Sequence, residues 1–424
     1  MSYTLIKLAL ASAWNRRFTL GLTLLALTLS VAMLLGVERA RTAARESFEQ
    51  SISGTDLLVG ARGSPLQLTL YAVFRIGESS QNMQWQSFQA VAAHPSVAWA
   101  IPLSLGDSHR GFPVIGTTSA YFEHFRYGQQ RPLSFSQGQR FERLFDVVLG
   151  AEVAEKLGYS LGDRLVLSHG SGPAAIGAQA EHADKPFTVV GILARTGTPV
   201  DRSLHIDLPA MEAIHLGWQA GAPIPGFTVP AEFVGKFDLQ PKSITAGLFG
   251  LKSRAAVFRT QRWVQQYTPE ALQAVLPGVA LDQLWQMVDV LEKFLKALSA
   301  LVVAMGLSSM VAIVWASLSE RRRELAILRS VGAGPWTLAA LLTLEGVLLA
   351  GLGALFGYLL LTGMSLAAAP WVQAQFGLAL PLWSAWQAEM RLLGYVLLAG
   401  LLAALLPAWS AARMALADGL NPRL

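Results

Sequence analysis

The chain has 424 residues, of which 53% are hydrophobic and only 14% charged, a balance that excludes an ordinary water-soluble protein. Its formal charge of +5 comes without a dense Lys/Arg tract carrying interleaved aromatics, so nucleic acid is not an expected partner. There is no cysteine, which excludes disulfides, thiolate catalysis and cysteine-ligated zinc.

Residues 1–17 read as a short amphipathic helix at the cytoplasmic face. The run Phe18–Val37 carries no charge and is long enough to cross a bilayer, which takes about 20 apolar residues. Lys7, Arg16 and Arg17 before it resemble the start of a signal peptide. However, "ERARTAARES" follows in place of a small-residue cleavage site, and a retained anchor is the expectation. Three more spans follow at 294–318, 338–363 and 392–409, the second-in-order carrying Lys296 near one end, where it can snorkel. The fold class is therefore an α-helical membrane protein with four spans and one large water-exposed domain, residues 38–293.

Arg321, Arg322, Arg323 and Arg329 crowd the 319–337 loop, whereas the 364–391 loop has only Arg391. The positive-inside rule puts the first loop, both termini and the 410–424 tail in the cytoplasm. The large domain then lies in the periplasm of an inner-membrane protein. Glu38, Arg39, Arg41 and Arg45 fall outside, which a long translocated domain tolerates.

Leu281, Leu284, Val288, Leu291, Leu295 and Leu298 repeat at 3-4 spacing just before and into the second span. This is a coiled-coil seam. Val37, Ala40, Ala44 and Phe48 give a weaker stripe after the first span, so residues 38–53 and 280–293 are expected to pair as a helical stalk. Beyond it the domain reads as mixed α/β. "FDVVLG", "DRLVLS", "FTVVGIL" and "SITAGLFGLKS" look like strands, "AEVAEKLG" and "RAAVFRTQRWVQQY" like helices, and residues 168–186 like a glycine-rich polar loop. Gly60, Gly63 and Pro65, and Gly106–Asp107, read as turns.

No catalytic constellation stands out: there is no GxSxG elbow and no HExxH. His169, His182 and Asp184 share the polar loop, and His205 and Asp207 sit two apart on one strand face. The expectation is scattered surface histidines and no metal site. GxxxxGK[ST] is also missing, so these residues offer no phosphate-cradling loop and no ATP site of that kind.

In the arginine loop, Ser319 can cap a helix whose first turn holds Glu320, and Gly332 and Gly334 end it before Pro335. Leu325, Leu328 and Val331 share a face, with Arg321, Arg322, Arg323 and Glu324 on the preceding turn. A stop-transfer charge cluster would account for the charges alone. The segment "ERRRELAILRSVGA" resembles the loop after the second helix in FtsX/MacB/LolC-type permeases of ABC transporters. There it forms a coupling helix docked on the ATPase. "LTLEGVLLAGLGALFG" resembles that family's third helix, and "PAWSAARMALADGLNP" its closing element, though alanine stands where proline is common. "VVLGAEVAEKLGYSLGDRLVL" followed by "FTVVGIL" resembles the MacB-type periplasmic domain.

The resemblance implies an ATPase-coupling role for Glu320, Arg321, Arg322, Arg323, Glu324, Leu325, Leu328, Arg329, Val331 and Gly332. It also implies a non-enzymatic subunit with no cofactor of its own, ATP and Mg2+ being held by an ATPase. MacB carries a fused nucleotide-binding domain; this chain begins directly at its short helix, so a separate ATPase polypeptide is expected. Gly353 and Gly357, with Gly346, form a small-residue row for close helix packing, within the chain or across a dimer. Glu345 is the one carboxylate inside an apolar run and is expected to hydrogen-bond at the coupling loop or stalk base. Four helices are few for an enclosed pore, so a second copy or a paralogue is an expected partner, beside membrane lipid and a periplasmic binding or adaptor protein. Export or extraction of a substrate from the periplasm or outer leaflet is the expected function. The alternative is an FtsX-like regulator that activates a periplasmic partner without transport.

Overall fold

The computed structural model describes residues 17–77, 81–170, 182–219, 222–224, 229–320, 329–330, 332, 334–376 and 386–413. Two compact units emerge. One comprises Met1–Ala44, Asp289–Trp371 and Leu380–Leu424, the other Arg45–Val288 and Val372–Ala379.

The first unit is built from four long apolar helices, α1 (Arg17–Gln50), α2 (Pro277–Glu320), α3 (Pro335–Phe376) and α4 (Trp386–Arg413). Each is long and apolar enough to cross a membrane. In lipid a helix satisfies its own backbone polar groups, which leucine- and alanine-rich runs of this length exploit. Pro277 and Pro335 open α2 and α3, where a missing N–H goes unnoticed. Leu27, Val31 and Leu35 of α1 pack with Val303, Leu307 and Met310 of α2, with Leu342 and Ala350 of α3, and with Val396 and Ala404 of α4. Leu25, Leu344 and Leu398 point outward, as lipid-facing side chains do.

Two expectations change. Most of the 364–391 loop is helical, since α3 runs to Phe376 and α4 begins at Trp386. The alanine-rich run "LAAAP" extends α3, and Pro370 within it forfeits one backbone bond without ending the helix. The leucine seam of α2 is also not the face that meets α1. Leu281 is buried in the core of the second unit with Leu284 packed beside it, whereas Leu291 is 57% exposed. Leucine periodicity identified an apolar ridge correctly but not its neighbour.

The second unit is a sheet domain. The strands of its main sheet are β1 (Leu57–Ala61), β2 (Val97–His109), β3 (Phe112–Thr117), β4 (Phe135–Gly138), β5 (Asp146–Leu149), β6 (Arg164–Leu165), β7 (Ser168–His169), β8 (Phe187–Leu193), β9 (Leu204–Asp207), β10 (Ala246–Leu251) and β11 (Leu272–Val275). The order is β11-β1-β10-β2-β3-β9-β5-β8-β4, with β7 added to β2 and β6 to β8. Pairing is antiparallel except for β9 with β3 and β8 with β5. Alternation buries both faces: β1 sends Leu57 and Val59 into one core and Leu58 into another. The predicted helices appear at Ala151–Leu157 and Val257–Gln265, and the predicted strands at β5, β8 and β10. "DRLVLS" is split between β6 and β7 rather than forming one strand.

Gly106–Asp107 is not a turn. Both residues lie inside β2, where register against β3 breaks between Leu105 and Ser108. Gly106 sits at φ +148°, a conformation that side chains avoid. A bulge of this kind re-aims the next side chain. Gly60 likewise lies within β1, while Pro65 starts the helix Pro65–Phe74, capped by Ser64.

Candidate functional site

In the helical unit, α1 meets α2 through polar and small residues. The Glu38 carboxylate accepts from Arg41, with Lys296 4.0 Å away, and Arg41 also reaches Glu292 at 3.4 Å. Deeper in, Ser30 Oγ donates to the Ala26 carbonyl at 2.7 Å and lies 3.3 Å from that of Val302. A Cβ on Gly306 would stand 3.0 Å from Ser30 Oγ, so glycine permits this approach.

The small-residue row of α3 closes contacts within the chain. A Cβ on Gly353 would come within 2.7 Å of Leu27 Cβ, and one on Gly357 within 2.8 Å of Val31 Cβ and 2.9 Å of the Thr28 carbonyl oxygen. Gly346 faces Ala404 and Gly400 faces Ala350, each with only 2.5 Å for a Cβ. Between the two readings of the row, the structure selects packing within one copy. Gly357→Val should therefore destabilise the bundle by about 1–3 kcal/mol through overpacking. Thermal unfolding of the detergent-solubilised chain reads this out, with Gly351→Ala, where a Cβ meets nothing within 4 Å, expected to be silent.

A bidentate ion pair joins α1 to α4. Arg39 Nε donates to Glu389 Oε1 at 2.7 Å and its second terminal nitrogen to Oε2 at 2.9 Å; the remaining one donates to Ser365 Oγ of α3 at 3.1 Å. The two charged side chains are 3% and 1% exposed. Sequence reading had Arg39 as a tolerated flanking charge and overlooked Glu389.

Of the predicted coupling residues, Arg321–Leu328 and Val331 lie outside the described residues, and Glu320 is the last residue of α2. Arg329 is half-buried, and Gly332 adopts φ +102° while its N–H donates to the Arg329 carbonyl, a helix-ending arrangement. Glu345 is half-buried on α3.

In the sheet domain, four side chains converge that no local spacing links. Asp107, re-aimed by the β2 bulge, is the cross-strand partner of His169 on β7. His169 Nδ1 lies 3.0 Å from Asp107 Oδ1 and 3.1 Å from His215 Nε2, and His215 Nε2 is 3.5 Å from the same carboxylate oxygen. His215 follows the helix Leu208–Ile214 and donates its other ring N–H to the Met211 carbonyl at 2.7 Å. His182 completes the group, fully buried, with the Trp218 ring 4.2 Å away centroid to centroid. One ligand-type atom from each of the four lies within 4.8 Å of the others. Burial works against the Asp107 charge, but hydrogen bonds from His169 and His215 outweigh it and hold the carboxyl down to about 2. Burial pushes the His182 imidazole down to about 4, against the pull of Asp107.

The expected scatter of surface histidines is thus overturned for His169 and His182. Asp184 does not join them and pairs with Lys185 instead. His205 and Asp207 separate too: His205 is buried against Tyr121, and Asp207 caps the helix Leu208–Ile214. Burial, with Arg75 adding repulsion, pushes the His205 imidazole down to about 3. Its folded pKa is below the unfolded value, so its stabilisation is complete above about pH 6.5 and lost as pH falls toward 3. His205→Phe should narrow that acid-sensitive window in a pH series of thermal melts.

Two family models match the chain in succession. The MacB-like periplasmic core domain spans residues 20–229, and the FtsX-like permease C-terminal domain spans residues 296–418. The chain belongs to the FtsX/MacB-type permeases of ABC transporters. Among solved structures, the permease is similar to the periplasmic region of MacB from Actinobacillus actinomycetemcomitans. Identity is 11% over 57% of this chain and 95% of that one, with a TM-score of 0.33. It is also similar to the extracellular domain of the noncanonic ABC-type transporter YknZ from Gram-positive bacteria, at 13% identity over 52% and 99% of the two chains and a TM-score of 0.29. No curated protein matches it. The MacB-like match takes in α1 and the sheet domain as far as residue 229, and the FtsX-like match takes in α2 from residue 296 onward with α3 and α4.

Proposed function

We propose that the permease couples ATP hydrolysis on a cytoplasmic ATPase subunit to movement of its sheet domain in the periplasm, exporting or extracting a substrate there or from the outer leaflet. The observation that carries this reading is the succession of the two family matches on one chain, joined by α2, a single helix from Pro277 to Glu320. Residues 319–337 are the coupling element. ATP binding closes the ATPase subunits, the docked segment moves with them, and α2 carries the displacement onward. Two copies, or a copy and a paralogue, assemble in the inner membrane with both termini cytoplasmic.

Affinity purification of the tagged permease, co-expressed with its ATPase, tests this reading. A nucleotide-hydrolysing subunit should co-purify, and substrate should raise its ATPase rate in nanodiscs. Failure of any ATPase to associate would refute the reading, and association with no substrate response would favour the regulator. Glu345, a carboxylate within an apolar helix, belongs to the coupling path. Glu345→Gln should leave assembly intact while ATP hydrolysis proceeds without transport, and normal coupled turnover in that variant would remove Glu345 from the path.

A further inference from the structure

We propose that Asp107, His169, His182 and His215 form a zinc site in the sheet domain. Three imidazoles and one carboxylate are the donor set of a borderline divalent metal, whereas Mg2+ and Ca2+ prefer all-oxygen surroundings. A tetrahedral ion with arms of about 2.0–2.1 Å separates its ligand atoms by about 3.3 Å. The distances of 3.0, 3.1 and 3.5 Å among Asp107 Oδ1, His169 Nδ1 and His215 Nε2 bracket that value.

The tautomer of His215 agrees. A carbonyl only accepts, so the 2.7 Å contact with Met211 puts a proton on Nδ1, and the Nε2 that hydrogen-bonds Asp107 becomes the lone pair aimed into the cluster once the ring gives up its second proton to bind an ion. Metal-bound histidines are fixed in this way, by an outward N–H bond to a carbonyl or carboxylate. A single proton between His169 and Asp107 would serve part of the group. It leaves Asp107 Oδ2 and both ring nitrogens of His182 buried with no hydrogen-bond partner among the described residues. Buried polar atoms rarely go unserved, and an ion bound between the four side chains meets the need that a proton does not.

Access and protection are both built in. Asp107 and His182 form the buried floor and Trp218 a wall, while the side chains of His169 and His215 are 36% and 28% exposed and open the cluster to solvent. The four residues come from β2, β7, the turn at His182–Lys185 and the end of the helix Leu208–Ile214, so a bound ion cross-links four segments.

The test uses the full chain in detergent, stripped with a chelator and dialysed against Zn2+, or against Mg2+ as the comparison. Elemental analysis should return one Zn2+ per chain and no retained Mg2+. Replacement with Co2+ should give the intense visible absorption of a four-coordinate centre. Asp107→Asn and His182→Gln should each weaken Zn2+ binding by at least about 100-fold, beyond what outer partners of a metal site are worth. Asp184→Asn should bind as the parent does. Substoichiometric Zn2+ uptake, the weak spectrum of six-coordinate Co2+, or unchanged affinity in both cluster variants would overturn the site. The Co2+ spectrum of the unmodified chain decides even if a variant fails to fold. No readout involves the ATPase, so the result is independent of the transport reading.

Discussion

Replacing Glu389 by alanine is expected to destabilise the helical unit by about 3–5 kcal/mol, the range for breaking a buried ion pair from one side. The cost comes from what is left behind. Arg39 cannot give up its proton, and its two strongest acceptors are gone in a place that water does not reach. Ser365 Oγ would remain as its lone acceptor there. Arg39→Ala should fall in the same range, because it strands the carboxylate instead. The double variant Arg39→Met/Glu389→Leu should recover most of the loss, since apolar residues of similar volume replace such pairs at little cost. Thermal unfolding of the purified chain in one detergent measures all three. If the single variants unfold with the parent, the pair contributes nothing and the assignment fails.

A second large effect follows from the proposed docking of residues 319–337 on an ATPase subunit. Leu325→Asp together with Leu328→Asp should abolish co-purification of the ATPase while leaving membrane insertion intact. Two leucines withdrawn from an apolar cleft forfeit about 3–6 kcal/mol. At about 1.4 kcal/mol per tenfold, that alone weakens docking at least about a hundredfold, before any penalty for burying new carboxylates. Retention of the ATPase at parental levels in a pull-down would show that this ridge is not the docking face.

Much of the fold was legible because its signals are local. Four apolar runs of bilayer length announce themselves through composition, and β5, β8 and β10 are β-branched or apolar runs marked off by Gly150, Pro186 and Lys252 respectively. β2 was hidden for the opposite reason. Pro102, Gly106 and Asp107 look like loop punctuation, yet a bulge absorbs them within one strand of 13 residues. The sites were harder still, because their members are distant in sequence. Arg39 and Glu389 lie 350 residues apart, and His169 lies 62 residues from Asp107 and 46 from His215. No spacing rule joins such positions; only the completed topology does. The leucine seam of α2 failed differently, since periodicity finds a ridge but cannot say that a neighbouring helix prefers Glu292, Lys296 and Gly306.

The glycine contacts of α3 and α4 carry a consequence for how these helices can move. Where a single methyl group on Gly346, Gly353, Gly357 or Gly400 would collide at 2.5–2.8 Å, neighbouring helices touch with no gap that even a water molecule enters. At these four contacts the helices can slide or part only as whole bodies, because no side chain stands between them to yield.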